Sequence, residues 1–233
     1  MAISAARPGG EGMTLAALAA FGLILCGLPL ALLLRVGVTA DGALSLAPLL
    51  EAAQSRSVLR ALWNSLDSAA VSAAAATAVG TVLALALGLT DVRAKGPLVF
   101  LILLPMMIPP HVTAIAWSQA FGPSSPLLRS LGLAPALGSP HPLYSREGVI
   151  LLLSVQHMPL AFLTVRAALR ALPREMAEAA RVSGAGAFAT IRRVVAPLLA
   201  PALVAGFALA FVSALGNFGI PALLGIPARY TTL

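Results

Sequence analysis

The chain has 233 residues, a length that would suit one or two soluble domains, but its composition speaks against that class. Hydrophobic residues make up 59% and charged residues 10%, and the mean hydropathy is +0.96, so the few charges could not cover a soluble surface. The net charge of +7 comes without basic residues that alternate with aromatic ones, which argues against nucleic acid as a partner and favours a role in membrane orientation. The sequence predicts an all-α membrane protein, a polytopic helical bundle of about five transmembrane helices.

The N-terminal part is predicted to contain a membrane anchor. Residues 1–14 are expected to form a cytoplasmic tail and residues 15–34 the first membrane anchor helix. This apolar run is longer than a usual signal-peptide core and lacks a small-residue cleavage site before a polar segment, so we interpret it as retained. Residues 35–61 are predicted to form a periplasmic loop, and residues 62–233 to form one larger transmembrane domain.

Four further apolar runs are each long enough to cross about 30 Å of hydrocarbon as a helix. They cover residues 66–89, 98–121, 149–168 and 198–215. If the N-terminus is cytoplasmic, nine of the 15 basic residues lie on the cytoplasmic side and six on the outer side. This excess agrees with the expected orientation. The basic residues concerned are Arg7, Arg93, Lys95, Arg166, Arg170, Arg174, Arg181, Arg192 and Arg193.

The run at residues 98–121 is not a plain lipid anchor, because Pro105, Pro109 and Pro110 interrupt it and His111 follows. Each proline removes a backbone hydrogen bond and bends the helix. Broken helices in membranes are buried in protein or line a cavity. Pro109, Pro110 and His111 are therefore candidates for a transport pathway; the alternative is a structural kink with a histidine at the interface.

For each of three further polar residues, two interpretations remain open. Asn217 lies in a glycine- and proline-rich segment after the last span, where it could serve an outer gate or cap a helix end. Asp67 lies at the outer end of the second span, where an intramembrane carboxylate could be functional or simply solvated and hydrogen-bonded. His157 could line a pathway or be a neutral, hydrogen-bonded packing residue.

No catalytic or metal-binding constellation is predicted. His111, His141 and His157 do not have the spacing of a metal site, and Cys26 has no second cysteine to pair with. The phosphate-binding pattern G-x-x-x-x-G-K-[ST] does not occur in the sequence. We expect that the chain is not an enzyme and binds no metal or cofactor of its own.

The most polar stretch, residues 172–201, is predicted to lie in a cytoplasmic loop between the last two spans. Pro173 can open a short helix, and Gly184 can end it as a glycine C-cap. The alanine-rich surface of this helix would allow a groove on a soluble partner to approach closely. A second short helix, residues 188–195, is expected to be interrupted by Pro197.

The same loop resembles the EAA loop of permease subunits of binding-protein-dependent ABC importers. The resemblance rests on Glu178-Ala179-Ala180, Gly184 after three residues, and Val194 and Pro197 after nine more. Val194 and Ala196 stand where the family more often has isoleucine and leucine. The resemblance implies a coupling helix on which an ATPase subunit docks, carried by Glu178, Ala179, Ala180, Arg181, Gly184 and Pro197.

Further stretches resemble the ferric-iron-type permeases of this superfamily. They are LWNSL at residues 62–66, the LLP…IPP…AIAW pattern of the third span, and ALGNFGIPALLGIPARYTTL at the end. Such permeases have two similar halves, each with one more span than is found here, so the resemblance implies the first half of a permease, truncated before its last span.

The resemblance also implies a mechanism and partners. A periplasmic substrate-binding protein would deliver ferric iron, and a dimer of ATP-binding subunits would use ATP to drive alternating access in the prokaryotic inner membrane. A second permease half or copy and membrane lipid complete the expected partners. The alternatives are a permease for polyamine, thiamine or phosphonate, a truncated non-transporting remnant or scaffold, and, least supported, a membrane enzyme.

Overall fold

The computed structural model describes residues 8–40, 43–136, 138–173, 182, 184 and 186–233. The chain divides into two compact units, Met1–Leu59 and Arg60–Leu233. Among the described residues, four helices are long and apolar enough to cross a membrane, and a bent helix pair makes a fifth if it counts as one span. The predicted fold class, an all-α polytopic membrane protein, is confirmed.

The first unit is dominated by one long apolar helix. It consists of α1 (Pro8–Gly22), a π-helical segment (Leu23–Gly27) and α2 (Leu28–Gly37). Within Gly12–Gly37, the most apolar window of 18 residues has a mean hydropathy of 2.5 and no buried residue, and the stretch includes the predicted first span. A two-residue strand β1 (Thr39–Ala40) pairs antiparallel with β2 (Ala43–Leu44), and α3 (Ala47–Gln54) follows.

The second unit contains the remaining helices, and the first of them, α4, begins at the end of the first unit. In chain order they are α4 (Arg56–Leu89), α5 (Lys95–Met107), α6 (Pro110–Phe121), α7 (Pro126–Ser130) and α8 (Arg146–Ala171). The later elements are α9 (Ala187–Thr190), a π-helical segment (Ile191–Val195), α10 (Ala196–Leu215) and a second such segment (Pro221–Gly225).

The observed helices are longer than the predicted spans at their polar ends. α4 begins at Arg56, whereas the apolar run begins at residue 66, because hydropathy marks where lipid contact begins and not where the helix begins. α8 begins at Arg146 with a capped end: the side-chain oxygen of Ser145 accepts a hydrogen bond of 3.0 Å from the backbone N–H of Gly148. Glu147 lies in the first turn, where a negative charge is favourable.

The predicted interruption at Pro197 is wrong. An unbroken helical stretch runs from Phe188 to Leu215, and Pro197 lies in the first turn of α10. The π-helical segment just before it supplies the reason, since its wider turn pairs the N–H of Ala196 with the carbonyl of Ile191, five residues back. A proline, which cannot donate to the carbonyl four residues back, is tolerated after such a shift in hydrogen-bond register.

The core of the second unit forms around α8. More than half of the apolar stretch of this helix is buried. Leu152 and Leu153, in its first half, pack with Ala114 of α6 and Ile220 beyond α10. The second half of α8 packs against α4 and α10 through Phe162, Val165, Ala84, Leu87, Val195 and Leu199.

Two glycines allow neighbouring helices to approach α8 closely. A Cβ atom at Gly80 of α4 would lie 2.8 Å from the backbone nitrogen of Phe162 and 2.9 Å from the carbonyl oxygen of Met158. A Cβ atom at Gly206 of α10 would lie 3.3 Å from the Cα of Ala161. The backbones of α4 and α10 therefore contact α8 on its two sides, as small residues permit in membrane helix packing.

Candidate functional site

The third predicted span is broken at Ile108 and Pro109, and the stretches Lys95–Met107 and Pro110–Ser130 on either side of the break are bent by 102°. Both residues precede a proline and adopt extended backbone, with ψ angles of 130° and 137°. A residue before proline is disfavoured in the helical region, and neither Pro109 nor Pro110 has an N–H to continue the helix. The thirteen residues of α5 span about 20 Å, less than the roughly 30 Å of hydrocarbon that a complete membrane span crosses.

The side chain of Gln156, on α8, binds two backbone carbonyl groups at the bend. Its side-chain nitrogen donates to the carbonyl oxygens of Pro105 at 2.8 Å and of Ile108 at 3.0 Å. The hydroxyl of Thr113 donates to the side-chain oxygen of Gln156 at 3.3 Å. Gln156 is 6% exposed, and these three hydrogen bonds satisfy its side-chain amide and join α8 to both α5 and α6.

A cavity of about 530 Å³ lies at this bend. It brings together Pro109, Pro110 and His111 of the α5–α6 bend with Asn217, which were selected from the sequence as pathway candidates. Among the described residues its lining contains no carboxylate. The remaining lining residues are Met106, Met107, Ile108, Gln156, His157, Leu160, Ser213, Gly216, Phe218 and Gly219.

The polar residues around the cavity differ in how far their hydrogen bonds are already used. His157 is buried, and its Nδ1 lies 2.7 Å from the carbonyl oxygen of Leu153, which matches the reading of a hydrogen-bonded packing residue that also lines the cavity. The side-chain oxygen of Asn217 accepts from the backbone N–H of Ile220 at 3.3 Å, so Asn217 caps the following turn as well as lining the cavity. The side chain of His111 is exposed.

Asp67 does not line this cavity. It lies at the beginning of the membrane part of α4 and makes a bidentate ion pair with Arg146 at the start of α8, with distances of 2.6 Å and 2.8 Å. The hydroxyl of Tyr230 donates to Asp67 Oδ2 at 3.1 Å and lies 2.9 Å from the carbonyl oxygen of Asn64. Of the two readings of Asp67, the structure shows the hydrogen-bonded one.

Tyr230 belongs to a C-terminal segment that is bound to α4. The side-chain nitrogen of Asn64 donates to the carbonyl oxygen of Thr231 at 2.8 Å, and the N–H of Leu233 donates to Ser65 Oγ at 2.8 Å. Burial raises the pKa of the Tyr230 phenol, and the charge of Asp67 raises it further. The phenol is therefore neutral and able to donate over the physiological range.

The proposed ATPase-docking residues are only partly described. Glu178, Ala179, Ala180 and Arg181 lie outside the described residues. Gly184 has φ of +83°, the left-handed conformation that a glycine C-cap requires, and a Cβ atom there would meet nothing within 4 Å. Pro197, as described above, lies in the first turn of α10.

Sequence reasoning missed Gln156, Arg146 and Tyr230. The signal for Gln156 was its place as an amide in the middle of an apolar run, since a polar side chain at that depth needs a partner. Arg146 and Tyr230 carried no comparable signal, because each is far from Asp67 in sequence and lies in a loop or terminal segment where polar residues are ordinary.

Comparisons with known proteins agree with this architecture. Residues 80–232 match the family model of the binding-protein-dependent transport system inner membrane component. A bacterial ABC transporter involved in the import of the acidic polysaccharide alginate has a similar fold, with a TM-score of 0.72 and 19% sequence identity over 95% of this chain and 80% of that chain.

Two curated relatives carry names with different substrates. A protein of Haloferax volcanii, named as a probable molybdenum ABC transporter permease protein, is 31% identical over 179 residues, which cover 74% of this chain and 61% of the relative. A protein of Haemophilus influenzae, provisionally named as a ferric transport system permease protein, is 27% identical over 63% of this chain and 24% of the relative. The chain therefore spans less than two thirds of the length of either relative, and the ferric type is not singled out.

Proposed function

Because the chain belongs to the family of binding-protein-dependent transport system inner membrane components, we propose that it is a membrane-spanning permease subunit, or part of one, of an ABC importer. Substrate delivered by a periplasmic binding protein passes inward between its helices and those of a second permease half or copy. A separate pair of ATPase subunits hydrolyses ATP and drives alternating access. The chain itself supplies the pathway and not the hydrolysis.

The observation that carries this proposal is the cavity at the α5–α6 bend. Irregular backbone within a membrane is tolerated only where it is buried in protein or lines a water-filled cavity. The binding sites of transporters are formed by helices that are broken in this way. Here the bend is fixed by Gln156, and Pro109, Pro110, His111 and Asn217 line the cavity beside it. A purely structural anchor would have no use for such a break.

The chemistry of the cavity favours an oxyanion, such as molybdate, as the substrate. The described lining has no carboxylate to neutralise a ferric ion or a polyamine. α6 begins at Pro110, beside the cavity, so the positive end of its dipole lies there. The side chains of Ser213 and Asn217 can donate hydrogen bonds to oxyanion oxygens.

Ferric iron remains the second candidate substrate. It is favoured by the sequence resemblance and by the relative from Haemophilus influenzae that bears that name. The Haloferax volcanii relative named for molybdenum, at higher identity, supports the oxyanion.

Substrate uptake tests the pathway and its selectivity. The chain is co-expressed with the ATPase and binding protein encoded beside it, and uptake of radiolabelled molybdate and of ferric iron is measured in a host that lacks its own importers. We expect molybdate uptake, reduced by His111→Ala and Asn217→Ala and retained by Gln119→Ala, an exposed residue of α6 outside the cavity lining. Uptake of ferric iron alone would establish the second candidate.

ATPase docking is tested separately. We propose that Glu178, Ala179, Ala180, Arg181 and Gly184 form the coupling helix and its end. Glu178→Arg and Gly184→Trp should abolish co-purification of the ATPase, whereas Gly186→Ala, where a Cβ atom would also meet nothing within 4 Å, should not. A wild-type chain that never retains the ATPase would contradict the coupling role.

A further inference from the structure

A second cavity, of about 360 Å³, lies between the end of α4, the start of α5, the end of α8 and the start of α10. Its lining includes three cationic side chains, Lys95, Arg166 and Arg170. By the positive-inside rule this end of the bundle faces the cytoplasm. It is separate from the cavity at the α5–α6 bend, with which it shares no lining residue.

The walls of this basic cleft are apolar. Leu87, Leu169, Leu172, Val195 and Leu198 line it together with the three cations. Leu198 is 40% exposed on the outside of the bundle, so the apolar wall continues toward the surface that faces lipid acyl chains. The cleft therefore combines a cationic and an apolar lining within one volume.

The cations of the cleft lack an anionic partner in the described part of the chain. No aspartate or glutamate lines the cleft, and the ion pairs found among the described residues involve none of the three cations. Arg166 and Lys95 are half-buried, and the guanidinium of Arg166 lies 5.5 Å from the centre of the Phe162 ring. Removing a cation from water is costly unless an anion or an aromatic ring compensates it, and the Phe162 ring serves Arg166 but not Lys95; Arg170 is exposed.

We propose that the basic cleft binds the head group of an anionic phospholipid of the cytoplasmic leaflet. The phosphate lies among Lys95, Arg166 and Arg170, and an acyl chain follows the apolar wall past Leu198. Basic pockets between transmembrane helices suit such head groups, and a soluble phosphate would leave the apolar wall without a partner. The inference rests on the proposed function only in placing this end of the bundle at the cytoplasmic face of a membrane.

Native mass spectrometry of the full chain in a neutral detergent tests the proposal. Dioleoyl phosphatidylglycerol and dioleoyl phosphatidylcholine, which share acyl chains and differ in head-group charge, are added in turn. The test variants are Arg166→Gln/Arg170→Gln and, with Arg166 and its ring contact kept, Lys95→Gln/Arg170→Gln. The matched control is Arg192→Gln/Arg193→Gln, which removes the same charge from exposed residues that do not line the cleft.

We expect selective binding of phosphatidylglycerol that either test variant weakens about thirtyfold and the control leaves unchanged. Arg166→Lys/Arg170→Lys should retain most of the binding, and thermal melting of each variant checks that it folds. Equal binding of the two lipids, or equal loss in the control, would overturn the proposal. So would displacement of the lipid by millimolar glycerol phosphate, which would identify a site for soluble phosphates.

An ATPase partner is the competing occupant of the cleft. If the test variants lose co-purification of the ATPase and keep phosphatidylglycerol binding, the cleft belongs to that interface and the lipid proposal is wrong. Lipid binding is measured on the chain alone, so it can succeed where transport and ATPase docking fail. The two proposals therefore fail independently.

Discussion

The side-chain nitrogen of Gln156 lies 2.8 Å from the backbone carbonyl oxygen of Pro105, and this bond joins the middle of α8 to the last turn of α5. Pro109, four residues after Pro105, cannot supply the N–H that would normally bind that carbonyl. The backbone N–H of Ile108 donates to the same oxygen at 3.3 Å, and a side chain from a different helix supplies the second, shorter hydrogen bond.

Removal of this donor should destabilise the bend. We expect Gln156→Leu to lower the free energy of unfolding by about 1–3 kcal/mol, because the hydrogen bonds of Gln156 to the carbonyls of Pro105 and Ile108 would be lost and leucine cannot replace them. The measurement is thermal or denaturant unfolding in detergent. Gln119→Leu, at an exposed position of α6, is the control, and an equal effect of both changes would show that Gln156 has no special role.

The ion pair between Asp67 and Arg146 should couple α4 to α8. Asp67→Asn and Arg146→Gln should each lower the melting temperature, and the double variant should lose less than the sum, because both single changes remove the same bidentate contact. Glu147→Gln is the control, since Glu147 lies 3.6 Å from Arg146 and its side chain is 76% exposed. Additive effects of the two single changes would exclude the coupling.

Tyr230 should give the C-terminal segment a pH-dependent attachment. Tyr230→Phe removes the hydroxyl contacts to Asn64 and Asp67 and should increase hydrogen exchange in residues 226–233. Because the folded-state pKa of Tyr230 is raised above its ordinary value of 10.0, the stability it contributes is present below that pH and is lost as the pH rises through the raised pKa.

The measurement for Tyr230 is the melting temperature of wild type and Tyr230→Phe across the alkaline range. The difference between them should be constant near neutrality and should shrink at high pH. A difference that grows with pH would contradict the raised pKa.

Close packing of α4 on α8 should depend on Gly80. Gly80→Ala places a Cβ atom within 3 Å of backbone atoms of Met158 and Phe162, which cannot move aside as a flexible side chain would. We expect a loss of about 1–3 kcal/mol in the free energy of unfolding. Gly96→Ala in α5, where a Cβ atom would meet nothing within 4 Å, should be neutral or slightly stabilising.

Much of the fold could be predicted from the sequence, because backbone N–H and C=O groups in lipid must bind one another, which makes each long apolar run a helix. The helical spans at residues 66–89, 149–168 and 198–215 lie inside observed helices, and the prolines at 109 and 110 mark the observed break. The angle of that break could not be predicted, since it depends on Gln156, which is distant in sequence.

For the candidate site, the sequence allowed us to predict which residues take part better than which hydrogen bonds and ion pairs they make. Pro109, Pro110, His111 and Asn217 were selected as polar or helix-breaking residues, and they line one cavity. Asp67 was grouped with them for its charge, but it does not line this cavity and instead makes an ion pair with Arg146. Pro197 was misread because a shift to π-helical hydrogen bonding leaves no mark in composition or spacing.

The two hydrogen bonds from the Gln156 amide to the end of α5 restrict how the bundle can move. Sliding α8 away from the end of α5 would break both hydrogen bonds, so we expect these two helices to move together as one rigid block. We therefore expect the sharp bend at Ile108 and Pro109 to keep its angle during transport and not to act as a hinge. Opening and closing would then be absorbed at other helix contacts, such as the apolar packing of α10 against α8.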